Sequence, residues 1–223
     1  MTLYSVISLI LSVVIAVFTT SFLRLLWILP SIHQRPRSSQ KCSAKVVIVL
    51  GSGGHTAEML RLVEHLNFNK YTQRVYIISS GDSLSEGKAQ AFELRKQNEE
   101  KYKSSFDIVH VPRARRVGQS WVTTPFTSIQ SFMGSLRVIL TKPLADAVLC
   151  NGPGTCVFIC MAALIPRFFG VKYIRIIYVE SFARVTELSL SGKILVYLAD
   201  RFFVQWPELA KRYPKSEYFG ILV

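Results

Sequence analysis

The sequence predicts an α/β domain built on a parallel sheet, preceded by a single membrane-spanning helix. Three observations lead there. Apolar runs of strand length recur and alternate with stretches of helical character, the pattern of strands buried on both faces by crossover helices. Two of these runs are followed directly by glycine-rich turns. Residues 1–23 contain no Asp, Glu, Lys, Arg or His, whereas Arg24, Arg35, Arg37, Lys41 and Lys45 follow before the first acid, Glu58.

The span comes first. Leu3 to Leu23 is apolar, diluted only by serines and threonines. At 1.5 Å per residue such a segment is about 31 Å long, against roughly 30 Å of bilayer hydrocarbon. A cleavable signal peptide carries positive charge ahead of its apolar stretch, and this chain carries it behind. The positive-inside rule then puts residues 1–2 across the membrane and everything after Arg24 in the cytosol. A cleaved signal or a buried helix is the competing reading. The absence of any N-x-S/T sequon agrees with a cytosolic body. Residues 24–44 read as a basic linker, since Pro30 to Ala44 has two prolines, several serines and no period.

From residue 45 to 223 the pattern is regular. Lys45–Leu50 is the first strand, followed by a glycine turn and a helix from about Thr56 to Leu66. Arg74–Ser79 is the second strand, residues 84–103 a charged helix, and Phe106–Val111 the third strand. Ser128–Leu140 is a helix ended by Lys142-Pro143. Ala147–Cys150, Lys172–Val179 and Arg201–Gln205 continue the strands, with helices near 155–165 and 189–199 and a last short strand over Tyr218–Val223. The domain is Rossmann-like.

Composition sets the outer limits. With 223 residues, 50% of them hydrophobic and 18% charged, the chain holds one ordinary domain plus apolar surplus. Its net charge of +13 suits anionic lipid, phosphorylated ligands or nucleic acid alike. Nucleic acid explains neither the apolar N-terminus nor the glycine turns, so none is expected. Cys42, Cys150, Cys156 and Cys160 form no CxxC pair, which argues against a disulfide scaffold or a cysteine zinc site. Cys156 and Cys160, one helical turn apart, belong to the core. No metal site and no cofactor are expected.

In such sheets ligands bind at the carboxyl ends of the strands. Three loops there carry chemistry. Gly51-Ser52-Gly53-Gly54-His55-Thr56 follows the first strand and opens a helix. Glycines allow close backbone approach, and helix N-terminal amides favour an anion. Thr56 is placed to cap that helix and Glu58 to lie in its first turn. A dinucleotide fingerprint needs glycine where Thr56 stands and an acid where Ser79 and Ser80 stand, and a P-loop needs Gly-Lys-Ser/Thr. The turn therefore points to phosphate without naming the ligand. Asn151-Gly152-Pro153-Gly154-Thr155 repeats the arrangement after the fourth strand, so a diphosphate can lie between two helix N-termini. Glu180, ending an apolar strand in Tyr178–Arg184, is placed to bind a sugar hydroxyl, to act as a base, or to form a structural ion pair.

The motifs GSGGHTAEML, NGPGT, YVESFAR and LADRFFVQWPE, in that order, resemble a known family. They are similar to the membrane-anchored subunits of the UDP-N-acetylglucosamine transferases that add the second sugar to dolichol-diphosphate-N-acetylglucosamine in asparagine-linked glycosylation. They also resemble the N-terminal half of the bacterial lipid-intermediate transferase of peptidoglycan synthesis. The resemblance implies the acceptor-side half of a GT-B glycosyltransferase split over two chains, inactive alone. A cytosolic catalytic subunit would bring the UDP-sugar, and the site would lie on the cytosolic face of the endoplasmic reticulum membrane and the continuous nuclear membrane. With the sequence stopping at Val223, no second Rossmann domain is expected on this chain. Phe219, Ile221, Leu222 and Val223 are expected to dock the partner, a reading compatible with a terminal strand.

Within that resemblance the acceptor diphosphate falls on residues 51–56, Asn151, Gly152, Gly154 and Thr155, with Arg115 and Arg116 in support. Those arginines and Trp121 suit phosphate oxygens or a membrane interface. His55 and Glu180 are the two candidate bases. Phe126, Ile129, Phe132 and Met133 form either a shallow membrane-facing helix or, as such stripes more often do, a core face. A self-sufficient membrane-tethered nucleotide- or NAD-binding enzyme is the alternative.

Overall fold

The computed structural model describes residues 3–30, 43–100, 105–115, 118–120, 122–141 and 144–223. Among the described residues seven strands form one sheet: β1 (Lys45–Leu50), β2 (Gln73–Ser79), β3 (Ser105–Val111), β4 (Ala147–Asn151), β5 (Arg175–Val179), β6 (Arg201–Val204) and β7 (Glu217–Tyr218). Their order is β3-β2-β1-β4-β5-β6-β7, and every pairing is parallel. The helices are α1 (Leu3–Ile28), α2 (Gly54–Leu62), α3 (Ser83–Glu100), α4 (Thr124–Thr141), α5 (Thr155–Phe168), α6 (Leu190–Leu195) and α7 (Pro207–Arg212).

The central strand explains the layers. All six residues of β1 are buried, and successive side chains point to opposite faces. Val47 and Val49 join a core with Ile28, α4, α5 and α6. Val46, Ile48 and Leu50 join another with Met59 of α2 and Phe92 of α3. The apolar run is continuous because neither face meets water. Cys150, Cys156 and Cys160 lie in the first core, and burial raises the Cys150 thiol well above its usual pKa. On the opposite face, the Arg74 guanidinium donates to both oxygens of Glu93 at 2.6 and 2.9 Å and pins β2 to α3.

Boundaries differ from expectation in several places. α2 starts at Gly54 and stops at Leu62, and α4 starts at Thr124. α7 was not expected, although Pro207 stands at its first turn, where a missing N–H is harmless. Only Glu217 and Tyr218 pair with β6, so the anticipated terminal strand is two residues long. The apolar helix α1 runs past Leu23 to Ile28, so residues 24–28 are helix rather than linker.

That extension docks. Ile28 is fully buried, and Arg24 Nε donates to the Phe168 carbonyl at 3.0 Å. Arg167, buried on α5, donates to the Ile28 carbonyl at 3.4 Å and to Asp200 Oδ2 at 2.5 Å. Its guanidinium lies 3.9 Å from the Tyr173 ring centroid. Tyr4–Ile28 is long and apolar enough to cross a bilayer, and its most apolar stretch is wholly exposed. The segment is thus clamped to the domain at one end only.

Candidate functional site

The strand order reverses direction between β1 and β4, the switch point at which the ends of adjacent strands open a crevice. Both glycine turns sit there, one leading into α2 and the other into α5. They interlock. A Cβ on Gly51 would lie 2.7 Å from His55 Cβ and 2.8 Å from Pro153 Cγ, and one on Gly152 would collide with the His55 ring at Cε1 and Nδ1. Gly152 also has φ +77°, which disfavours a side chain by about 1–2 kcal/mol. Gly53 has φ +64° and ψ −119°, a glycine region, and makes no side-chain cap to α2. Gly154 provides none to α5. Both helices therefore open without a side-chain acceptor for their first amides.

His55 is the half-exposed centre of this arrangement. Its Nδ1 is 3.0 Å from Asn151 Oδ1 and 3.9 Å from Glu58 Oε2. Asn151 Nδ2 donates to Glu58 Oε2 at 3.0 Å and to the Val179 carbonyl at 3.3 Å. Ser181 Oγ donates to the other Glu58 oxygen at 2.9 Å. One short network thus ties the loops after β1, β4 and β5.

Several expected residues take other parts. Thr56 does not cap α2: it is buried, and its hydroxyl donates to the Gly51 carbonyl and meets Ser85 Oγ at 2.7 Å. Because α2 begins at Gly54, Glu58 lies in the second turn rather than the first. Asn151 is fully buried, so its amide faces protein rather than an open crevice. Ser52, Gly53, Gly54 and Gly154 are exposed along the mouth, with Thr155 buried behind.

Glu180 is fully buried. Its carboxylate accepts from Ser181 N–H, Ser189 N–H and Ser189 Oγ, each at 3.0 Å. Burial raises its pKa, opposed by those hydrogen bonds and by the Arg184 charge. The carboxylate clasps the connection from β5 to α6, and a Cβ on Gly192 would collide with its Oε2. Among the described residues no arginine forms an ion pair with Glu180; its hydrogen bonds come from Ser181, Ser189 and, at 3.5 Å, the Tyr178 hydroxyl. Ser189, which also caps α6 through Gly192 N–H at 2.9 Å, was not picked out from the sequence, although a serine directly ahead of an apolar run is a cap signal.

Arg115 lies beyond the edge strand β3, exposed, with Nη2 donating to the Gln119 carbonyl at 2.9 Å. Two strands separate β3 from β4 in the sheet. Arg116 and Trp121 lie outside the described residues. On α4 the apolar stripe faces outward: Phe126 is 76%, Ile129 62% and Met133 57% exposed, and only Phe132 turns to the core. Of the tail, Phe219 and Ile221 are exposed, and Leu222 N–H donates to Gln205 Oε1 at 3.0 Å.

Comparison with known proteins agrees with this architecture. A bacterial structure described as MurG from Acinetobacter baumannii superposes with a TM-score of 0.52 at 19% identity, over 79% of this chain and 44% of that one. The structure of LpCGTa in complex with UDP gives 0.51 at 12%, over 81% and 53%. The chain therefore spans about half the length of these GT-B-like neighbours, and the likeness is one of fold. Sequence relatives are much nearer. The Schizosaccharomyces pombe UDP-N-acetylglucosamine transferase subunit alg14 is 50% identical over 179 residues, covering 79% of this chain and 82% of that protein. The Homo sapiens subunit ALG14 is 45% identical over 212 residues, covering 94% of each. The family described as "Oligosaccharide biosynthesis protein Alg14 like" matches residues 46–222, and this chain belongs to it.

Proposed function

We propose that this chain is the membrane-anchoring, acceptor-binding subunit of a UDP-N-acetylglucosamine transferase. It recruits a cytosolic catalytic subunit that carries the UDP-sugar, and it presents dolichol-diphosphate-N-acetylglucosamine for addition of the second sugar. The observation that carries the reading is the pair of interlocked glycine turns at the switch point with His55 between them. Nearly full-length relatives named as transferase subunits support it. The NAD-binding alternative lacks an acid at the end of β2, where Ser79 and Ser80 stand.

The diphosphate lies across the mouth formed by Ser52, Gly53, Gly54 and Gly154, on first-turn amides and the positive ends of α2 and α5. The acceptor sugar projects from the crevice toward the partner. His55 Nε2 takes the proton from the acceptor hydroxyl as that oxygen bonds to the anomeric carbon of the donor sugar. UDP leaves with the electron pair of the broken bond. General-base help of this kind contributes roughly 10²–10⁴-fold. Glu180 is a structural carboxylate in this scheme.

The anchor raises the local concentration of a lipid acceptor confined to the same membrane. We place α1 across the endoplasmic reticulum membrane with the domain in the cytosol, and Phe219, Ile221, Leu222 and Val223 against the partner. The test is reconstitution of the purified chain in vesicles with UDP-N-acetylglucosamine and a synthetic polyprenyl diphosphate-N-acetylglucosamine. Alone it should transfer nothing; with the catalytic subunit added, a disaccharide lipid should form. Turnover by the isolated chain refutes the proposal, as does an inactive mixture.

A further inference from the structure

We infer that Asn151, held by Glu58, fixes His55 in the tautomer protonated on Nδ1, and so acts as a positioning residue rather than as a ligand of the acceptor. The inference rests on the proposed role of His55 as base. It follows from the polarity of each hydrogen bond in the network.

A carboxamide has a donor end and an acceptor end. The donor end of Asn151 faces two groups that only accept, the Glu58 carboxylate at 3.0 Å and the Val179 carbonyl at 3.3 Å. Turning the amide would set its oxygen against both. Oδ1 therefore stays toward His55 Nδ1 at 3.0 Å, and since it only accepts, the proton is on Nδ1. In the neutral ring the lone pair is then on Nε2, which makes no hydrogen bond among the described residues. Glu58 is itself held by Ser181 Oγ at 2.9 Å. Gly152 lies directly against the imidazole, where any Cβ would collide. Three loops thus fix the ring's position and its proton together, and Nε2 is the basic nitrogen of the half-exposed ring. When that nitrogen takes a proton, the Glu58 carboxylate, 3.9 Å from Nδ1, offsets the new positive charge.

The experiment uses the full chain in complex with its catalytic partner, labelled with ¹⁵N-histidine. The chain has four histidines, and a His55→Gln variant identifies the His55 signals. In the wild type Nδ1 should show the protonated shift and Nε2 the unprotonated one. Asn151→Leu should release the ring to the other tautomer. It should lower kcat roughly 100-fold, a share of what a general base supplies, while KM for polyprenyl diphosphate-N-acetylglucosamine moves less than about twofold. Glu58→Gln keeps the shape but lets the amide turn, because glutamine can donate to Oδ1; it should also mix the tautomers, and it serves in place of Asn151→Leu if that variant does not fold.

Three results overturn the inference: a wild-type ring protonated on Nε2, a tautomer unchanged in the variants, or a raised KM with intact kcat. The nitrogen shifts need no turnover. An inactive complex therefore counts against the transferase reading, while the tautomer still decides this one.

Discussion

Gly53 and Gly54 are neighbours at the mouth of the first turn, yet only one of them has room in its backbone conformation for a side chain. Gly53 holds φ +64° with ψ −119°, so any substitution there is strained before it meets a ligand. Gly54 opens the helix in ordinary conformation, is exposed, and has nothing within 4 Å of a built Cβ. Gly54→Asp therefore isolates charge from fold. An acid in the first turn favours the helix by about 0.3–1 kcal/mol, so the melting temperature should hold or rise. Toward a diphosphate the same carboxylate is repulsive, on the order of 4 kcal/mol at contact distance and an effective dielectric of 20. KM for the lipid acceptor should rise at least about tenfold, and an unchanged KM would remove the diphosphate from this turn. The glycines themselves were legible, because a turn between strand and helix announces its backbone needs. The part taken by Asn151 was not: its partner Glu58 is 93 positions away and Val179 is 28, and no local pattern joins them.

The strands were legible at the scale of elements because burial on both faces leaves each one a continuous apolar run, as the fully buried β1 demonstrates. Helix edges were less so, since they depend on which side chains cap them. Thr56 has the composition of a cap but spends its hydroxyl on Gly51. Conversely Pro207, an N1 signal, opens α7, which at six residues is too short to show a helical period. The segment from β5 to α6 departs furthest from its sequence reading. There Glu180 closes a loop on Ser181 and Ser189, contacts that only the fold creates. Its pKa is raised, chiefly by burial. The folded state thus binds this proton more tightly than the unfolded chain, and linkage fixes the sign: the contribution is fully present below the ordinary carboxyl pKa of about 4.3 and declines as pH rises through the raised value. Most carboxylates do the opposite. In Glu180→Gln, stability measured by urea unfolding should lose this downward component in mildly acidic buffer. A wild-type profile that only rises across that range, identical in the variant, would contradict the burial argument.

For the whole molecule, the proposed assembly puts membrane and partner on different surfaces. α1 and α4 both pack on α5, so the exposed stripe of Phe126, Ile129 and Met133 belongs to the layer that also carries the apolar anchor. Phe169 and Val171, 72% and 68% exposed just after α5, add to that layer next to Arg24. If α1 crosses a bilayer as proposed, this layer should be the one held near the headgroups, where apolar side chains beside basic ones bind favourably. The C-terminal tail is elsewhere, following the opposite edge strand β7. It is joined to the body by little: Leu222 N–H reaches Gln205 Oε1 at 3.0 Å, and Phe219 meets Phe203 at 5.8 Å between ring centroids. Deleting Ile221 to Val223 removes one hydrogen bond worth about 0.5–1.5 kcal/mol. It leaves Gln205 Nε2 on the Glu180 carbonyl at 3.0 Å, so the melting temperature should fall by only a few degrees. The anchor is untouched, and the truncated chain should still sediment with membranes. The partner should not: as the anchor of a short apolar docking segment, the tail should carry at least a tenfold share of the affinity, about 1.4 kcal/mol. Flotation of vesicles bearing wild-type or truncated chain, with the catalytic subunit added, separates these outcomes. Partner that floats equally with both chains moves the docking surface away from the tail, and truncated chain that melts far below the wild type makes the tail part of the domain's own core.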